Sequence, residues 1–175
     1  MVHFKGADDA AHDRNVAYRV AYLEAADALL RQLLARLWAH EAAGGAHYVV
    51  CVTGDHSTPV LYGDHSNEPV PVAAAHLADA VAAMGGADVA QATPLGPIRT
   101  PEFSPPGSDT ADAARAAREA RSPAGAVAGD AVWRFDELAA GAGGLGRFCG
   151  EGLMPLLRAF RHTQAETDGA APRTQ

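Results

Sequence analysis

Two Asp-His pairs stand nine positions apart in TGDHSTPVLYGDHSNEPVPV, residues 53–72: Asp55-His56 and Asp64-His65. Carboxylate and neutral imidazole are the borderline oxygen and nitrogen donors that suit zinc, manganese and iron. An adjacent Asp-His offers both side chains to one ion only where the backbone turns sharply, and Gly54 makes such a turn easier. Upstream, KGADDAAHD sets Asp8 and His12 four residues apart, on one side of a single helical turn, with Asp9 out of phase. Three acid-histidine clusters supply donors enough for two ions, and ions about 3.5–4 Å apart clamp a phosphoryl group between them. A phosphate ester is the substrate class to which these residues point. Isolated Asp and His side chains are usually solvated, and His3, His40, His47, His76 and His162 are read that way, with Asp9 and Asp13. Asp64 is read as a polar loop residue beside a ligating His65, and Ser57 and Ser66 as loop hydroxyls.

The elements that must hold these loops follow from periodicity. Val16, Val20, Leu23, Leu30, Leu34 and Leu37 recur at helical spacing, which predicts one helix from Arg14 to His40, stopped by the glycines of AAGG at 42–45. HYVVCV, residues 47–52, is apolar without alternation and predicts a strand buried on both faces of a parallel or mixed sheet. The first Asp-His pair follows its C-terminal end, where ligand sites of α/β sheets gather. MVHF reads as the end of a strand, and PVPV at 69–72 as the start of another. Residues 73–131 are rich in Ala, Gly, Pro and Ser and read as a largely flexible insertion with short helices at 76–84 and 109–121. Leu153, Met154, Leu157 and Phe160 predict a C-terminal helix, and residues 163–175 a disordered tail.

Composition narrows the partners. A chain of 175 residues suits one domain, and a net charge of -7 offers no basic stripe for nucleic acid. No apolar run approaches the roughly 20 residues of a membrane-spanning helix, so no membrane partner is expected and the location is read as cytoplasmic. Cys51 and Cys149 form no disulfide framework or zinc motif and read as free thiols in a reducing compartment.

Taken in order, these blocks resemble the cofactor-independent phosphoglycerate mutases of the archaeal type, in the alkaline phosphatase superfamily. DHSTP followed by DHS and PVP is similar to that family's metal-binding signature. KGADDAAHD is similar to its K-x-x-D-x-x-x-H segment, and FDELAAGAGGLGRFCGEGLMPLL to its C-terminal block. The resemblance covers residues 1–72 and 132–161. It implies an α/β fold, the C-terminal portion of an alkaline-phosphatase-like α/β/α sandwich, with a metal-binding core segment at 1–72 and a C-terminal core segment at 132–162. It implies two divalent ions, Mn2+, Zn2+ or Mg2+, one held by Asp8, His12 and His65 and the other taking Asp55 and His56 as two of its ligands. The implied activity is an isomerase of glycolysis, an intramolecular phosphotransfer between 3-phosphoglycerate and 2-phosphoglycerate, with a small phosphate ester as partner. The family's nucleophilic serine and N-terminal aspartate have no recognisable motif here, so the chain is expected to be truncated and inactive alone. The alternatives are another phosphoryl-transfer enzyme of the superfamily, such as a phosphatase, and an inactive metal-binding remnant.

Overall fold

The computed structural model describes residues 1–103, 132 and 134–168, and is a mixed α/β arrangement. Residues 1–4 form no strand. The first element is a helix, α1 (Gly6–His12), with Asp8 and Asp9 in its first turn and His12 in its last, the polarity that a helix dipole favours. Ala10 and Ala11 are fully buried. Small side chains let α1 lie close to the next helix, and at Gly6 any Cβ would stand 2.2 Å from the Tyr22 ring. Alanine carries little hydrophobic signal, which is why the sequence pattern reads this helix as a polar loop.

Arg14 turns the chain with a left-handed backbone at φ 54°. Asn15 then caps α2 (Val16–Ala42), its side chain accepting from the Tyr18 N–H at 3.0 Å. The long helix matches the predicted one to within two residues at each end. At its far end Gly44 is left-handed at φ 82°; the Gly45 and Gly44 N–H groups donate to the His40 and Glu41 carbonyls, a Schellman closure. The predicted apolar face is only partly used: Leu34 is buried and Leu30 and Leu37 pack beside it, but Val16 and Leu23 are exposed.

Strand β1 (Val49–Thr53) pairs antiparallel with β2 (Val72–His76), Val49 opposite His76 and Thr53 opposite Val72. The parallel or mixed sheet expected for residues 47–52 is thus replaced, among the described residues, by a two-stranded antiparallel one. Its apolar residues Val49–Val52 are half-buried rather than enclosed. Within the stretch read as an insertion, residues 73–92 carry the rest of β2, then α3 (Leu77–Ala83), which falls on the short helix expected at 76–84, and α4 (Ala87–Ala92). Leu77, Val81 and Ala90 join Leu34 in the core, with Trp38, Tyr48, Val50 and Met84 around them. The predicted helix at 109–121 lies outside the described residues.

Towards the C-terminus, α5 (Glu137–Ala140) is capped by Asp136, which accepts from the Ala139 N–H at 2.8 Å. A 3-10 turn at Gly150–Gly152 leads into α6 (Leu153–Asp168), the helix expected from Leu153, Met154, Leu157 and Phe160. His76, read as solvated, is half-buried and stacks on Phe160 with ring centroids 4.7 Å apart, tying β2 to α6. No helix among the described residues is long and apolar enough to cross a membrane.

Candidate metal centre

Residues 54–71 leave the end of β1 and return to β2, and this connection folds over α1. The Thr53 hydroxyl donates to the Pro71 carbonyl at 3.1 Å across its base. Further out, Ser57 and Ser66 face each other in an antiparallel bridge, with the Ser66 N–H on the Ser57 carbonyl at 3.0 Å. The tip turns at Gly63, whose N–H donates to the Pro59 carbonyl at 2.8 Å. Gly63 is left-handed at φ 75°, a backbone that favours glycine, and the Arg14 side chain lies against it, 2.6 Å from where a Cβ would stand. Gly54, the residue expected to supply the sharp turn, is not among the left-handed glycines.

Around this tip three donors from two distant segments converge, Asp8 and His12 on α1 and His65 on the loop. Asp8 Oδ1 lies 3.4 Å from His12 Nε2 and 3.7 Å from His65 Nε2, and the two imidazole nitrogens are 3.1 Å apart. Ligand atoms held about 2.1 Å from one ion at the tetrahedral angle stand about 3.4 Å from each other. Asp8, His12 and His65 therefore already have the spacing of one tetrahedral face, and two nitrogens and a carboxylate oxygen are a fitting donor set for a divalent ion.

The surroundings set the state of each donor. His12 Nδ1 is 3.1 Å from the Gly63 carbonyl oxygen, which can only accept; Nδ1 therefore carries the proton, and in the neutral ring Nε2 keeps the lone pair that a metal needs. Burial disfavours the charged form of Asp8, but hydrogen bonds from Lys5 and Thr58, with the Lys5 charge, outweigh it and hold the carboxyl at about 2. Lys5 takes Oδ2 at 3.0 Å, while Oδ1 accepts from the Thr58 hydroxyl at 2.8 Å and keeps a second lone pair for the side of the histidines. Because the folded pKa lies below the ordinary 3.8, the stabilisation from ionised Asp8 is complete above that value and is lost as pH falls through about 2. Metal-free protein should lose stability over that acid window more steeply than Asp8→Asn, as measured by thermal unfolding at a series of pH values. Parallel acid limbs would contradict the depressed pKa.

The Asp55-His56 pair, expected to serve the second ion, is placed differently. His56 stacks on His65, ring centroids 3.7 Å apart, and its Nε2 is 3.4 Å from Asp55 Oδ2. These two donors have the right mutual spacing for one ion, but no third joins them among the described residues. Asp64 accepts from the His65 N–H at 2.8 Å, in keeping with its reading as a loop residue. The sequence reading missed Arg14, which donates to the Tyr62 carbonyl at 3.2 Å, and Arg19, which donates to the Thr58 carbonyl. Both fasten the loop to the start of α2 and neighbouring chain, and their only signal in the sequence is their charge. An open cleft beside His65 is lined by Tyr62, Ser66, Asn67, Glu68 and the cation of Arg147.

Helix α1 and the loop thus present a carboxylate and two imidazoles at tetrahedral spacing. The chain belongs to the metalloenzyme superfamily, whose model matches residues 1–101. Within the curated proteins, the chain is similar to the 2,3-bisphosphoglycerate-independent phosphoglycerate mutase of Methanopyrus kandleri, 32% identical over 158 residues that make up 90% of this chain and 25% of the relative. Similar proteins of that name include one from Methanocaldococcus jannaschii, 39% identical over 72 residues, and one from Metallosphaera sedula, 38% identical over 72 residues; each match takes in 41% of this chain and 16% of the relative. The chain thus spans a quarter or less of the length of these relatives. No solved structure matches it.

Proposed function

We propose that this chain is the metal-binding part of a phosphoglycerate mutase that interconverts 3-phosphoglycerate and 2-phosphoglycerate in cytoplasmic glycolysis. The observation that carries the reading is the convergence of Asp8, His12 and His65 at metal-ligand spacing, in a chain similar to proteins named phosphoglycerate mutase. Asp8, His12 and His65 hold one divalent ion, and Asp55 and His56 supply two ligands of a second. Bound there, such ions lower the pKa of a nucleophilic hydroxyl and offset charge on the phosphoryl oxygens. The cleft beside His65 takes the phosphate ester, with Arg147 as the cation facing its anionic groups. The nucleophilic serine comes from outside the blocks present here, where the rest of an α/β/α sandwich also lies, so the chain binds the substrate without turning it over.

A 31P NMR experiment with the chain, Mn2+ and 3-phosphoglycerate tests this. Protein-bound Mn2+ should broaden the substrate resonance beyond what free Mn2+ does, with no 2-phosphoglycerate signal. Appearance of 2-phosphoglycerate would keep the mutase reading and overturn the inactivity of the chain alone. Release of inorganic phosphate would replace the mutase with a hydrolase, and absence of any broadening would overturn substrate binding.

A further inference from the structure

Thr58 is among the few buried polar side chains of the described residues, 3% exposed, and it stands between the two donor groups. Its hydroxyl donates to Asp8 Oδ1 at 2.8 Å, and its oxygen is 3.1 Å from His56 Nδ1. A hydroxyl has one proton. Once that proton is directed at the carboxylate, the stronger acceptor, only oxygen lone pairs remain to face the imidazole, so the shared proton of the second contact must sit on His56 Nδ1. We infer that Thr58 is a positioning residue whose buried hydroxyl joins the Asp8, His12 and His65 cluster to His56 and fixes the His56 ring as its Nδ1–H tautomer. This inference rests on the metal-binding reading above for its purpose, though not for its geometry.

Three features make Thr58 suited to this. The Arg19 guanidinium on α2 donates to its carbonyl, which anchors the backbone. Pro59 follows, and a residue before proline is held away from the helical region. The β-branched side chain has restricted χ1 freedom, so the hydroxyl is aimed with little entropy left to lose. The result is that His56 Nε2 keeps its lone pair, 3.4 Å from Asp55 Oδ2, before any ion arrives. His12 obtains the same tautomer from the Gly63 carbonyl, so two of the three histidines are set by partners on their far nitrogen. Because a single hydroxyl serves both donor groups, its removal affects both.

The test compares wild type, Thr58→Val and Thr58→Ser. Histidine tautomers are read first without metal, from long-range 15N–1H NMR at about pH 8.5, where imidazoles with an ordinary pKa are neutral. Wild type and Thr58→Ser should show a protonated Nδ1 and a bare Nε2 on His56, while Thr58→Val shifts towards protonated Nε2. In Mn2+ titrations Thr58→Val should bind about 10–100-fold more weakly, the usual effect of losing an outer-shell partner, with Thr58→Ser restored to near wild type. A protonated Nε2 on His56 in wild type would overturn the inference outright, even if Thr58→Val failed to fold. An unchanged tautomer and unchanged affinity in folded Thr58→Val would also overturn it. Absence of Mn2+ binding in wild type, with the tautomer as stated, would instead defeat the metal-binding reading and leave the positioning of His56 intact.

Discussion

His65→Ala should abolish the divalent-metal binding proposed for the Asp8, His12 and His65 cluster, with a loss exceeding the roughly 10–100-fold that removal of an outer-shell partner produces. The reason is the geometry of the face. His65 Nε2 lies 3.1 Å from His12 Nε2 and 3.7 Å from Asp8 Oδ1, so its removal leaves two protein donors where a stable site needs three or four. Asp8 does not compensate, because its second oxygen is engaged by Lys5 at 3.0 Å. His12→Ala should match His65→Ala, since both sit in the same face. His56→Ala should act on a different ion: its Nε2 pairs with Asp55 Oδ2, although its ring also rests on His65. Calorimetric Mn2+ titration of the three variants resolves this. Loss of one binding event in His12→Ala and His65→Ala, and of the other in His56→Ala, is the expected pattern. Identical losses in all three would contradict separate sites.

Leu77→Ala lowers the stability of the chain by about 2–5 kcal/mol, the range for emptying a fully buried leucine site. Leu77 is 0% exposed and sits where β2 turns into α3, among Leu34, Val81 and Ala90. Its N–H also donates to the Tyr48 carbonyl at 2.9 Å, so the same residue closes the helix start against β1. The core is small and rich in alanine, which leaves few neighbours able to relax into the cavity. A domain usually has only about 5–15 kcal/mol in hand, so the loss is a large fraction of the total. Urea unfolding followed by circular dichroism measures it. A change below about 1 kcal/mol, the scale of a surface substitution or less, would mean that residues 73–92 are not seated on α2 as described.

The helix from Val16 to Ala42, its glycine stop and the short helix from Leu77 were all legible, because each rests on local periodicity or on a backbone angle that only glycine adopts cheaply. The short helix α1 was not, because its buried face is two alanines and its polar residues dominate the pattern. Nor was the antiparallel pairing of Val49–Thr53 with Val72–His76: an apolar run states that a strand wants cover, not which strand or direction provides it. The same limit holds for the alanine-rich stretch after residue 72, where composition does not show that the larger side chains Leu77 and Val81 join the core.

For the site, the sequence by itself determined the chemistry: which residue types are present, and that Asp8 with His12, and Asp55 with His56, are near each other in the chain. Donor identity and short-range spacing are covalent facts. That His65 joins Asp8 and His12, across more than fifty residues, was implied only by resemblance; the tertiary structure brings it about, through the left-handed turn at Gly63 and the grip of Arg14 and His12 on its carbonyls. The protonation pattern was likewise decided in three dimensions. A tautomer depends on what faces the far nitrogen, and the partners that face His12 and His56, the Gly63 carbonyl and the Thr58 hydroxyl, are set by how the loop folds over α1 and α2.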